Sequence, residues 1–170
     1  MVSTITDPWA SLPSDKAPTP PANWSYRHSD YAMSKGRVHQ AITDSKNTVN
    51  FRFPYEGSQR GTLILRTHPK FGKDVILGIE QGQFLVRGYE DTKALVRFDD
   101  GDPINFRVVG AEDHSTTEAF FRDYQGFVDK MLKAKRVRIS VPVYQQGSPV
   151  FEFDVSGFDI DAYSEKKNKG

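Results

Sequence analysis

Cysteine is missing from all 170 residues, and that one absence removes disulfides, thiolate nucleophiles and thiolate metal ligands together. No stretch approaches the roughly 18 apolar residues that a membrane-spanning helix needs, so no such span is expected. Histidine is scarce, with four in the chain, and neither sign of charge dominates: 23 Lys+Arg stand against 22 Asp+Glu, a net charge of +1. A chain so balanced has no global field favouring nucleic acid or an anionic bilayer. No cofactor fingerprint occurs, and neither a cofactor nor a resident metal is expected.

Aromatic residues are what the chain has in quantity. Twelve Phe and seven Tyr, many at alternate positions, supply the ring surface that β-sheets bury well. Residues 1–22 differ: Pro8, Pro13, Pro18, Pro20 and Pro21 lie among Ser, Thr, Asp and Ala, which reads as a disordered Pro-rich tether. Residues 23–160 then form one β-rich domain, and residues 161–170 a frayed, Lys-rich tail. As written, the chain reads as soluble and cytoplasmic. An export signal removed upstream would make it periplasmic or envelope-tethered.

Hydrophobic period divides the domain further. Arg37 to Thr43 reads as a short strand, Asp44-Ser45-Lys46-Asn47 as a turn, and Val49, Phe51 and Phe53 as the next strand. Leu63 and Leu65, then Val75, Leu77 and Ile79, mark two more strands, and residues 83–88 and 93–98 a further pair. The turn Asp99-Asp100-Gly101-Asp102-Pro103 leads into Ile104, Phe106 and Val108. Ser115-Thr116-Thr117-Glu118 has the form of a capping box and predicts a helix start, with Phe120, Tyr124, Phe127, Val128 and Met131 as one apolar stripe. Val137 to Val143 and Phe151 to Val155 alternate again, Pro142 arguing for an edge strand. The fold expected is mainly β (α+β). It is an antiparallel β-sandwich or curved sheet of about eight strands, carrying one amphipathic helix over about residues 116–135.

The candidate chemistry is thin. Asp113-His114-Ser115 holds the residue types of a hydrolytic triad, but triads assemble from separated segments, and the serine is already claimed as a helix cap. Asp99, Asp100 and Asp102 could hold a hard cation, yet they lack the longer loop and distal glutamate of a calcium site and read as a hairpin turn. His28, His39 and His68 fall on different elements without ligand-like spacing. Lys130, Lys133, Lys135, Arg136 and Arg138 form a basic run at the predicted helix end and into the next strand, the one candidate binding surface. Arg87, Arg97 and Arg107, on successive strands, suggest a second cationic stripe.

Several segments carry a resemblance. Phe51-Arg52-Phe53-Pro54-Tyr55, Leu63-Ile64-Leu65-Arg66 with His68-Pro69, Gly82-Gln83-Phe84-Leu85, Val96-Arg97-Phe98-Asp99-Asp100-Gly101, Asp113-His114-Ser115, Ala134-Lys135-Arg136-Val137 and Phe151 through Phe158 resemble small bacterial and phage-borne envelope proteins. These often begin with a lipoprotein signal and a Pro/Ala-rich tether. A more distant resemblance is to VasI-type accessory lipoproteins of type VI secretion systems. It covers about residues 24–160. It implies cysteines in the places of Val86 and Thr92, which this chain lacks, in keeping with a cytoplasmic relative.

The function these readings favour is a non-catalytic module that binds a protein partner of bacterial or phage origin, as an inhibitor or immunity protein, with no nucleic acid and no membrane span. The alternatives are a tethered envelope or secretion-system accessory protein and, less favoured, a hydrolase using His114.

Overall fold

Strands in which every second residue is apolar can bury one face and wet the other, and here nine of them join in one antiparallel sheet. The computed structural model describes residues 23–86 and 91–165. The strands are β1 Ser25–Asp30, β2 Arg37–Phe51, β3 Gly57–His68, β4 Gly72–Ile79, β5 Lys93–Phe98, β6 Ile104–Gly110, β7 Glu118–Phe121, β8 Arg136–Ser140 and β9 Val150–Asp154. Two short helices accompany them, α1 Tyr124–Met131 and α2 Ile160–Ser164. The order across the sheet is β1-β2-β3-β4-β7-β6-β5-β8-β9. This is the curved-sheet form of the expected fold. The tether assigned to residues 1–22 lies outside the described residues, as does Arg87.

The inner face is the core. Leu63 lies opposite Leu77 and Leu65 opposite Val75 on β3 and β4, all four fully buried. Curvature brings β9 over β3. A Cβ placed on Gly61 would fall 2.8 Å from the Phe151 ring, so glycine there is what admits Phe151 to the core. At the other end α1 lays Phe127 among Phe98, Phe106 and Phe121, with ring centroids 5.4, 5.6 and 5.3 Å away and edge-to-face tilts.

The segment Asp44 to Asn47 is not a turn. β2 runs through it with a register shift between Asp44 and Thr48, a bulge that bends the strand. The same short polar side chains that favour turns serve the bulge instead. The buried Ser45 hydroxyl accepts from the Gly61 N–H at 2.9 Å and donates to the Asn47 carbonyl at 2.7 Å. The Asn47 carboxamide donates to the Val150 carbonyl at 2.9 Å and accepts from the Glu152 N–H at 2.8 Å. One side chain thus links β2 to β9 where the curled sheet meets itself.

The predicted helix start at Ser115 is also corrected. Glu118–Phe121 is strand β7, paired with β4 on one side and β6 on the other, and α1 begins only after Asp123, whose carboxylate accepts from the Gly126 N–H at 2.9 Å. A slot between two strands satisfies backbone groups on both sides of the segment, and Ala119 and Phe121 alternate inward as a strand requires. Asp123→Ala is therefore expected to cost about 1 kcal/mol in urea unfolding, and Ser115→Ala no more than about 0.5 kcal/mol. The reverse ranking would restore the capping-box reading.

Three smaller expectations change. Pro142 lies beyond the end of β8, and β8 is an interior strand between β5 and β9. Residues 83–86 do not pair with β5: Phe84 forms an isolated bridge with Val143, whereas β5 pairs with β6 and β8. Of the tail expected to fray over residues 161–170, residues 161–164 belong to α2, and residues 166–170 lie outside the described residues. Asp159 caps the helix by accepting from the Asp161 and Ala162 N–H groups, and it buries Tyr163 at 4% exposure.

Candidate functional site

The basic run divides in two. Lys130, Lys133 and Lys135 are exposed on α1 and the turn after it, and among the described residues none of their ammonium groups joins an ion pair. Leu132, the C-terminal cap of α1, stands 52% exposed between them. Arg136 and Arg138 are engaged instead: their guanidinium groups converge on one Asp100 carboxylate oxygen at 2.9 and 3.2 Å, and Arg138 also reaches Glu152 at 3.8 Å.

The Asp99-Asp100 turn is spent on the same segment. Asp99 Oδ1 accepts from the Lys135 and Arg136 N–H groups at 2.9 and 3.0 Å, and those two bonds hold its carboxyl below the usual carboxylate range. With Asp100 committed to arginines, two of the turn's three carboxylates serve protein donors. Of the second arginine stripe, the two described members, Arg97 and Arg107, do not align either. Arg97 lies opposite Arg138, with its Nε donating to the Gly101 carbonyl, while Arg107 lies opposite Lys93 and pairs with Asp91 at 3.3 Å.

Asp113, His114 and Ser115 are not joined as a triad. The Asp113 carboxylate accepts from the Ser115 N–H at 2.9 Å, and the Ser115 hydroxyl pairs with that of Thr117 at 3.2 Å. Residues 109–112 and Glu118 line two clefts in common. Asp113 lines the larger, of about 520 Å³, with Arg66, Phe71, Lys73, Asp74, Glu112, Glu118, Phe120 and Arg122. His114 and Ser115 line the smaller, of about 300 Å³. In the larger cleft Arg66 pairs with Asp74 at 2.6 Å and lies over the Phe71 and Phe120 rings. Its three cations stand against four carboxylates, a near balance that leaves one negative charge in excess.

The histidines are where the structure departs furthest from the sequence reading. His28 and His39 face each other across β1 and β2, with Nδ1 atoms 2.9 Å apart. Glu165, the C-terminal cap of α2, brings Oε1 to 3.6 Å from His28 Nδ1 and 3.4 Å from His39 Nδ1. Arg37 donates to both Glu165 oxygens at 2.7 and 3.2 Å and pairs with Asp30. These bonds hold the Glu165 carboxyl below its usual range. Burial pushes His39 down, with Glu165 pulling the other way. His68 stands apart, edge-on to Tyr31 and tilted against Phe71. The sequence did carry one sign of the pair: His28 precedes Tyr31 by as many residues as His39 follows Gly36, and Tyr31 N–H to Gly36 O closes the intervening loop.

No helix among the described residues is long and apolar enough to cross a membrane. Protein-family models, curated proteins and solved structures were each compared with the chain, and none matches.

Proposed function

We propose that this chain is a non-catalytic protein-recognition module of bacterial or phage origin, acting as an inhibitor or immunity protein, whose contact surface is the rim from Lys130 to Arg138. The observation that carries the reading is Leu132, a large apolar side chain half in solvent and flanked along the chain by three exposed lysines that join no ion pair among the described residues. An exposed apolar anchor on a lysine-rich segment suits a partner that presents a small hydrophobic recess edged by carboxylates. Arg136 and Arg138, already shared with Asp100, hold the rim in shape. The bacterial or phage origin is drawn from the segments that resemble such envelope proteins.

A photo-crosslinking side chain at position 132 of the full chain should capture one partner, and the same group at Met33, 80% exposed in the β1–β2 loop, should not. With that partner purified, Lys130→Glu/Lys133→Glu/Lys135→Glu should weaken the complex by at least about tenfold, most strongly at low salt. An unchanged Kd, or equal capture from position 33, would sink the proposal.

A further inference from the structure

We infer that His28, His39 and Glu165 form a binding site for a transition-metal dication of the zinc class. The inference shares no residue with the lysine rim, so either can fail without the other. Around a tetrahedral zinc with bonds of about 2.0–2.1 Å, ligand atoms lie about 3.3 Å from one another. Here the three separations are 2.9, 3.4 and 3.6 Å, and the three ligand atoms form a compact group. A chain of hydrogen bonds does not account for the triangle. Two imidazole nitrogens at 2.9 Å can share one proton, but the carboxylate oxygen stands near both rings at distances too long for a good bond to either. Three lone-pair-bearing atoms gathered about a common centre is the arrangement a cation organises.

The fold supports each ligand. Directly opposed residues of an antiparallel pair project to the same side of the sheet, which puts both histidines on one face of the β1–β2 hairpin. Glu165 is delivered by α2, seated through the buried Tyr163, whose hydroxyl bonds that of Thr67 at 2.7 Å. Arg37 donates to both Glu165 oxygens, the ligand atom Oε1 included, and an outer partner of this kind fixes a ligating carboxylate in orientation. Charge also fits. Glu165 and Asp30 outweigh Arg37 by one negative charge, so a dication enters a group whose net charge attracts it.

Ligand type narrows the metal. Two imidazoles and one carboxylate suit zinc and its first-row neighbours, whereas calcium and magnesium take oxygen sets. Three protein ligands leave a fourth position for water, and the histidines, each 19% exposed, and Glu165, 35% exposed, leave solvent a way in.

The test is calorimetric titration of the untagged, chelator-stripped full chain with zinc, alongside cobalt(II) as a spectroscopic probe. One equivalent is expected, with the intense visible bands of tetrahedral cobalt. His28→Ala/His39→Ala should lose at least about 100-fold in affinity, and Glu165→Gln about tenfold or more. His68→Ala and His114→Ala should bind as the parent does. Circular dichroism checks folding, and His28→Gln, on the edge strand β1, serves if the double variant unfolds. No binding at up to about 1 mM zinc, equal loss in His68→Ala, or affinity retained without both His28 and His39 would each overturn the site. So would a Glu165→Gln chain that binds as tightly as the parent.

Discussion

Phe127→Ala is expected to lower the unfolding free energy by about 3–5 kcal/mol, a large share of the about 5–15 kcal/mol that holds a domain folded. Phe127 is the inward knob of α1, with no exposed surface, and three other phenylalanine rings meet it edge to face. Those rings come from β5, β6 and β7, and α1 follows β7 after only two residues. Truncation therefore leaves a cavity walled by three strands that are already paired on both sides, and such walls cannot collapse inward. Urea unfolding should show a lower midpoint with an unchanged slope. Phe127→Leu, which keeps most of the volume, should cost less than half as much. A loss under about 1 kcal/mol for the alanine variant would mean that α1 is not the keystone of this end of the core.

Trp24→Ala should cost a similar amount, about 3–5 kcal/mol, with a different signature. Trp24 is 4% exposed, its indole N–H donates to the Val155 carbonyl at 3.1 Å, and its ring meets Phe158 at 5.1 Å. Phe158 in turn contacts Tyr26 and Tyr163, at 6.1 and 5.7 Å between centroids. Residues from both ends of the described chain thus share one aromatic cluster, and α2 hangs from it. Removal of Trp24 should free α2 before the sheet unfolds, which amide hydrogen exchange would show as lost protection at residues 160–165 while β3 and β4 stay protected. Uniform loss across the molecule would mean that α2 belongs to the same cooperative unit as the sheet. Unchanged protection would mean that Trp24 does not seat it.

Most of the sheet was legible because strands β3, β4, β8 and β9 carry apolar residues at a spacing of two: Leu63 and Leu65, Val75 and Leu77, Val137 and Ile139, Phe151 and Phe153 are all buried as their spacing implies. The helical stripe was legible only from Tyr124 onward. Phe120 fits a period near 3.6 as well as a period of two, and the choice was made by β4 and β6, strands distant in sequence that leave a slot for β7. The rim shows the same limit. Exposure of three lysines follows from composition, but the pairing of Arg136 and Arg138 with Asp100 depends on the meeting of β5 and β8. The histidine pair was hidden because Ser25–Asp30 carries little apolar alternation, and its glutamate sat in a tail whose polar sequence conceals one buried tyrosine.

The Asn47 carboxamide has a consequence for association. A strand at the margin of a sheet offers unpaired backbone groups on which a foreign strand can grow. At β9 two of these groups, the Val150 carbonyl and the Glu152 amide, are occupied by Asn47, so that margin is blunted by a side chain. The margin left open among the described residues is the outer side of β1. Self-association by strand addition, or capture of an extended peptide, is directed to that side of the molecule, next to His28.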